Sequence, residues 1–202
     1  MILKKVEKEP RAAVYPAPAA LVSAYGKRGK PNAMTAAWIS NICADPVTLV
    51  VGIRDTRYTY ELIVKNGCFG VNIPNVKIAK EADYFGIVSG RDVDKFKETG
   101  LTVFKGKEVK VPLIKECPIN IECKLVKQVK IGTHDAFFGE VLKVYYDESM
   151  INENGSPDIL LADVLAYGTG NYYSLKEIVG GFGHSRKSKQ FAHLFEEIQS
   201  VD

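Results

Sequence analysis

The 202 residues contain no apolar run approaching the roughly 20 needed to cross a bilayer. The amino-terminal stretch MILKKVEKEPR lacks the apolar core of a secretory signal. These two absences predict a soluble, cytoplasmic protein that does not meet a membrane. Cysteine is sparse. Cys43, Cys68, Cys117 and Cys123 form no C-x-x-C pair, and His134, His184 and His193 lie far from them. Tetrahedral metal sites need clustered thiolates or imidazoles, so no metal is expected and the thiols should be free and mostly buried. An excess of one charge is also missing. The chain holds 27 Lys and Arg against 24 Asp and Glu, a net +3, too little for the basic face that nucleic acid requires. No Gly-x-Gly-x-x-Gly follows a strand, and no Ser-His-Asp or Cys-His pattern offers a nucleophile.

What remains is ordinary globular material: 25% charged and 46% apolar residues, without repeats, low-complexity tracts or a linker, consistent with one domain over residues 1–202. Ala19 to Tyr25 reads as a strand, GKRGKPNA as a loop, and Met34 to Ser40 as the returning strand. The β-branched run Val47 to Arg54 reads as a buried strand. Asp55 or Thr56 should cap a helix over 57–66 that Asn66-Gly67 ends. Phe69 to Ile73 is strand-like, and Ile78, Ala82 and Phe85 share one face of a helix over about 77–86. Asp92 is the expected cap of a further short helix with Val93 and Phe96 inward and Gly100 behind it.

The clearest signal lies at 119–131. Ile119, Ile121, Cys123, Leu125, Val129 and Ile131 alternate with Asn120, Glu122, Lys124, Gln128 and Lys130. A period of two over thirteen residues predicts a long strand with one apolar and one polar face. A turn at 132–135 should lead to its partner at 137–146. Leu160 to Tyr167 adds more apolar material, and the last twenty residues read as a partly helical tail. Long strands with few helices disfavour a doubly wound sheet. They predict a mainly β fold, a β-barrel with peripheral helices.

Five ordered segments then become informative together: PNAMTAAWIS (31–40), VGIR with DTRYTYELI (51–63), GCFGVNIP (67–74), SGRDVDKF (89–96) and THDAFFGEVL (133–142). In this order they resemble the flavin reductase-like family, closest to its flavoredoxin branch, over roughly 12–175, with 176–202 as a tail. The resemblance implies an FMN-binding split barrel, usually a homodimer with the flavin near the subunit interface. It also implies an oxidoreductase that takes electrons from NADH or NADPH and passes them to a small-molecule or protein acceptor. A non-enzymatic split barrel that binds flavin or haem is the competing expectation.

The residue chemistry agrees with a phosphorylated flavin. A flat ring needs close backbone approach beside small side chains. Met34, Thr35, Ala36 and Ala37 supply this with one hydroxyl, and Trp38 would pack nearby. A phosphate dianion needs donors and positive charge, which a helix start after Arg54 provides. The resemblance places Arg54, Thr59, Ser89 and Lys95 around phosphate and ribityl, and Gly90 and Arg91 add close approach and a guanidinium beside Arg57. Asn72 is expected as a polar neighbour of the ring. His134 is the catalytic candidate, although Gly132-Thr133-His134-Asp135 departs from the Gly-Asp-His order usual in related reductases. Cys43 is a further thiol, either within reach of the ring or buried and inert, and the Tyr167–Tyr173 stretch should cover the flavin or pack as core.

Overall fold

The computed structural model describes residues 4–187. The expected helical tail falls almost wholly outside them, leaving only a 3-10 turn at His184–Lys187. The elements in chain order are β1 (Ala17–Pro18), β2 (Ala20–Tyr25), β3 (Pro31–Ala36), β4 (Ile39–Ala44), β5 (Val47–Ile53), α1 (Tyr58–Asn66), β6 (Cys68–Ile73) and α2 (Ala79–Ile87). They continue as α3 (Lys95–Thr99), β7 (Val103–Lys105), β8 (Pro112–Ile114), β9 (Ile119–Ile131), β10 (His134–Tyr146), β11 (Leu165–Gly168) and β12 (Asn171–Ser174).

Seven strands form one antiparallel sheet in the order β3-β2-β6-β9-β10-β5-β4. Its two edge strands, β3 and β4, are consecutive in sequence and separated only by Ala37 and Trp38. So short a link spans about 10 Å. The sheet must therefore curl until its edges are neighbours, giving a barrel that is joined by the chain but not closed by a ladder. This corrects the single strand expected over 34–40: the chain breaks at Ala37-Trp38, and Gly52 N on β5 donates to the Trp38 carbonyl at 2.8 Å, extending the β4–β5 pairing by one bond.

The alternation at 119–131 gives the strand with the expected bounds, but only part of its expected facing. Ile119 and Ile121 are half-buried, whereas Asn120 and Glu122 are buried. The reason is tertiary. The β7–β8 hairpin and the loop between its strands lie over the polar face. Glu122 accepts from the backbone N–H groups of Lys107, Glu108 and Val109 at 2.8–2.9 Å and from Tyr145 Oη at 2.6 Å. Burial pushes its carboxyl upward, but these four donors outweigh that and hold it below the usual range. Asn120 Nδ2 donates to Asn72 Oδ1 and to the Ile114 carbonyl. The turn after β9 is also tighter than expected: only Gly132 and Thr133 lie outside the strands, and His134 and Asp135 pair with Ile131 and Lys130.

Inside the barrel Val22, Leu49, Val51, Phe69, Cys123 and Phe137 pack together. A second core joins the outer face of β2 and β3 to α2 and α3 through Leu21, Ala33, Ile78, Ala82, Phe85 and Phe96. Each fully buried phenylalanine contributes roughly 2–3 kcal/mol, enough to fix α2 and α3 rigidly beside β3. That placement makes the site.

Candidate functional site

A cleft runs along β3, from the start of α1 to the β9–β10 turn. Its enclosed lobe, about 150 Å³, is lined by Asn32, Met34, Arg54, Thr56, Arg57, Tyr58, Thr59, Phe85, Val88, Ser89, Gly90 and Lys95. An open lobe of about 370 Å³ continues past Met34, Thr35, Ala36, Ala37, Trp38, Gly52, Arg54, Arg57, His134 and Tyr167. No carboxylate lines either lobe. β3 is the sheet edge here, so alternate backbone N–H and C=O groups along its outer side have no ladder partner.

Neither Asp55 nor Thr56 caps α1. The capping position is Arg57, with no side-chain hydrogen bond, and the opposite end closes on Gly67 at φ +67°. Tyr60 N donates to the Arg57 carbonyl at 3.1 Å, and Tyr58 and Thr59, whose N–H groups receive no capping side chain, line the enclosed lobe. Thr59 is buried, and its hydroxyl accepts from Asn32 Nδ2 at 2.8 Å. Ser89 Oγ accepts from Arg91 N at 3.2 Å. Gly90 is needed for close approach to the protein itself: a Cβ there would lie 1.9 Å from Asn32 Oδ1.

Lys95, the first residue of α3, is 4% exposed, and its Nζ donates to the Phe85 carbonyl at 3.0 Å. Burial and then the Arg57 charge lower its ammonium to about 8. Asp94, not Asp92, caps α3, accepting from Lys97 N at 3.2 Å. Arg57 Nη1 donates to the Gly86 carbonyl at 3.2 Å. The carboxyl end of α2 thus anchors two cations that line the cleft.

Three candidates, Asn72, Arg91 and Cys43, lie outside both lobes, and a fourth, Thr35, lines the cleft with its hydroxyl already engaged. Asn72 is fully buried and away from both lobes: it donates to the Leu21 carbonyl and Ser23 Oγ, and accepts from Ile114 N and Asn120 Nδ2. With its polar atoms spent, it has none left for a ring. Arg91 lies outside the lobes, ion-paired to Glu61, donating to the Thr56 carbonyl at 2.9 Å, and over the Tyr58 ring. It braces the walls instead of facing the cleft. The Thr35 hydroxyl donates to the Ala82 carbonyl, so β3 offers the cleft its backbone and not that proton. Cys43 is also elsewhere, exposed on the apolar groove along β4.

Trp38 and His134 line the open lobe with ring centroids 4.4 Å apart. Tyr167 lines it too. Missed in the sequence were Asn32, which follows Pro31 in a segment already singled out, and Gly52, Tyr58 and Val88. Gly52 and Tyr58 also lie in a quoted segment, 51–63, but spacing gave no signal for any of them, because they meet only when β3, β5, α1 and the end of α2 converge. Among the described residues no group of three His, Cys, Asp or Glu side chains could hold a metal, and no helix is long and apolar enough to cross a membrane.

The family model described as a flavin reductase like domain matches residues 12–176. An uncharacterized protein of Archaeoglobus fulgidus is 41% identical over 130 residues, covering 64% of this chain and 72% of its own. The flavoredoxin of Desulfovibrio vulgaris (Miyazaki F) superposes with a TM-score of 0.86 at 35% identity, over 92% of this chain and 100% of that one. The FMN-binding protein from Thermus thermophilus with bound 1-cyclohex-2-enone superposes with a TM-score of 0.75 at 26% identity, over 89% and 99%.

Proposed function

The chain belongs to the flavin reductase-like family, with its split-barrel fold, and from that premise we propose that it is an FMN-dependent oxidoreductase using NADH or NADPH. The observation that carries the reading is the carboxylate-free enclosed lobe, in which a buried ammonium spends one donor on a carbonyl and faces an uncapped helix start. A buried cation without a counter-ion is costly unless an anion arrives to pair with it. A terminal phosphate dianion matches Lys95, Ser89, Arg54, Arg57 and the first N–H groups of α1 in charge and in donor chemistry.

The open lobe fits the ring. Ala36, Ala37 and Gly52 leave room beside the β3 backbone, and Trp38 and Tyr167 supply flat apolar walls. Bound there, FMN would supply two-electron redox chemistry, taking hydride from a reduced nicotinamide and returning electrons to an acceptor. The chain's own work is to hold, orient and bias. Unpaired N–H groups of the β3 edge would stabilise negative charge on the reduced ring, and the surrounding cations act in the same direction. No side chain has to serve as a nucleophile.

The homodimer implied by the resemblance has a surface available. The groove beside β4, about 740 Å³, is lined largely by Ile39, Ile42, Val47, Ile121, Val144 and Tyr146, and Ile42 and Val47 are each 49% exposed. We read this face as the one a second copy covers, which sedimentation of the purified protein tests.

The test of function is spectroscopic. Protein incubated with FMN and desalted should remain yellow, and anaerobic NADH or NADPH should bleach it. Colourless protein overturns the flavin reading. Retained colour without bleaching by either nicotinamide leaves a flavoredoxin-type electron carrier and removes the reductase.

A further inference from the structure

At the open end of the cleft, Arg54 Nε donates to His134 Nε2 at 3.3 Å. That nitrogen is therefore the acceptor, and the imidazole proton sits on Nδ1, 3.0 Å from the Thr133 hydroxyl. Trp38 packs against the same ring with its plane tilted by 43°. Arg54 is the residue that lines both lobes together with Arg57 and Met34. Its Nη groups have no hydrogen-bond partner among the described residues.

Resting on the flavin-binding reading, we propose that His134 is a positioning residue: neutral and braced by Trp38, it holds Arg54 Nε so that the free Nη edge grips the flavin phosphate. A guanidinium presents its donors in a rigid plane, so fixing Nε fixes the direction of the opposite edge. The role differs from proton transfer, because the unprotonated ring nitrogen, Nε2, is occupied by Arg54.

The arrangement depends on charge. The charged groups facing the imidazole are Arg54 from the end of β5 and Arg57 from the start of α1, both cationic. The neighbouring carboxylate, Asp135, is turned to Tyr60 Oη at 2.7 Å and Gln128 Nε2 at 2.6 Å. Burial and these two cations hold the His134 imidazole below its ordinary value. At neutral pH the ring accepts. Once protonated, it presents N–H to N–H beside a second cation, and the clamp opens.

The experiment has two arms. FMN dissociation constants are measured between about pH 7.5 and 4.5, a window extended below ordinary histidine titration because His134 is held below it, for wild type and His134→Gln, whose amide oxygen accepts from Arg54 at every pH. Wild type should lose about tenfold more affinity than the variant over that range, the size of one charge-assisted contact. The phosphate's own protonation is common to both. With riboflavin the difference should vanish. Parallel profiles for the two proteins overturn the proposal.

The second arm uses ¹⁵N-detected NMR of the flavin-free protein. Imidazole nitrogen shifts should report the Nδ1–H tautomer at pH 8, and Arg54→Lys should raise the His134 titration midpoint. An Nε2–H tautomer overturns the clamp whatever the flavin does. If wild type binds no flavin at any pH, the proposed function fails and the phosphate grip with it, while the tautomer still reports the clamp.

Discussion

The molecule contains two polar clusters that look alike in sequence and behave oppositely in space: one is wholly buried, and the other sets the buried ammonium of Lys95 beside the exposed guanidiniums of Arg54 and Arg57. One lies under the β7–β8 hairpin, where Ser23, Asn72, Asn120 and Glu122 are matched by one another, by nearby backbone and by Tyr145 Oη. The other lies along β3, where Lys95, Arg57 and Arg54 each spend a donor on the protein and keep others free. The first cluster is closed, with donors and acceptors matched within the chain. The second has an excess of donors and no carboxylate. Polar burial alone does not mark a site; a surplus of one hydrogen-bonding sense does.

The sharpest way to break this comparison is Asn72→Ala. It leaves Ile114 N without a buried acceptor and Asn120 Nδ2 with one of its two, the Ile114 carbonyl. Unfolding free energy in urea should fall by about 3–4 kcal/mol, while the folded protein keeps its FMN affinity within about twofold. Lost flavin at unchanged stability would move Asn72 into the cleft and end the distinction.

The converse is Lys95→Met. FMN should bind about 100-fold more weakly, the worth of a buried charge-assisted contact, with riboflavin little affected. The flavin-free variant should be no less stable than wild type, because a desolvated cation has been removed. A large stability loss would make Lys95 a member of the closed cluster.

Acid and base separate the clusters again, by smaller amounts. Glu122 is held below the usual carboxylate range, so its contribution is present above its unfolded value, roughly 4.3, and is lost as pH falls toward the folded one. Glu122→Gln should flatten that acid limb, by about 1–2 kcal/mol. Lys95 is lowered from 10.5 to about 8. Between those values the unfolded chain binds more protons, so flavin-free stability should rise with pH, on the order of 1 kcal/mol. Lys95→Met should abolish this rise. The smallest expected effect is Cys43→Ser: this thiol lies on the β4 groove outside the cleft, so FMN affinity and reduction should change by less than about twofold.

Local rules were legible in the chain. Period two gave β9 its bounds, helical spacing put Ile78, Ala82 and Phe85 on one face, and Gly67 and Gly100 ended their helices. The five segments named the family, and of the cations in 54–57 and 89–95, Arg54, Arg57 and Lys95 line the enclosed lobe. Each of these depends on neighbours within a few residues or on residue identity alone. Which way a polar side chain turned did not. Asn72 and Asn120 are 48 positions apart, Tyr60 and Asp135 are 75, and the β7–β8 hairpin covers a face that alternation assigns to water. Those partners exist only once the sheet has curled, so hydrogen-bond saturation, and hence the division between scaffold and site, was settled by tertiary contact.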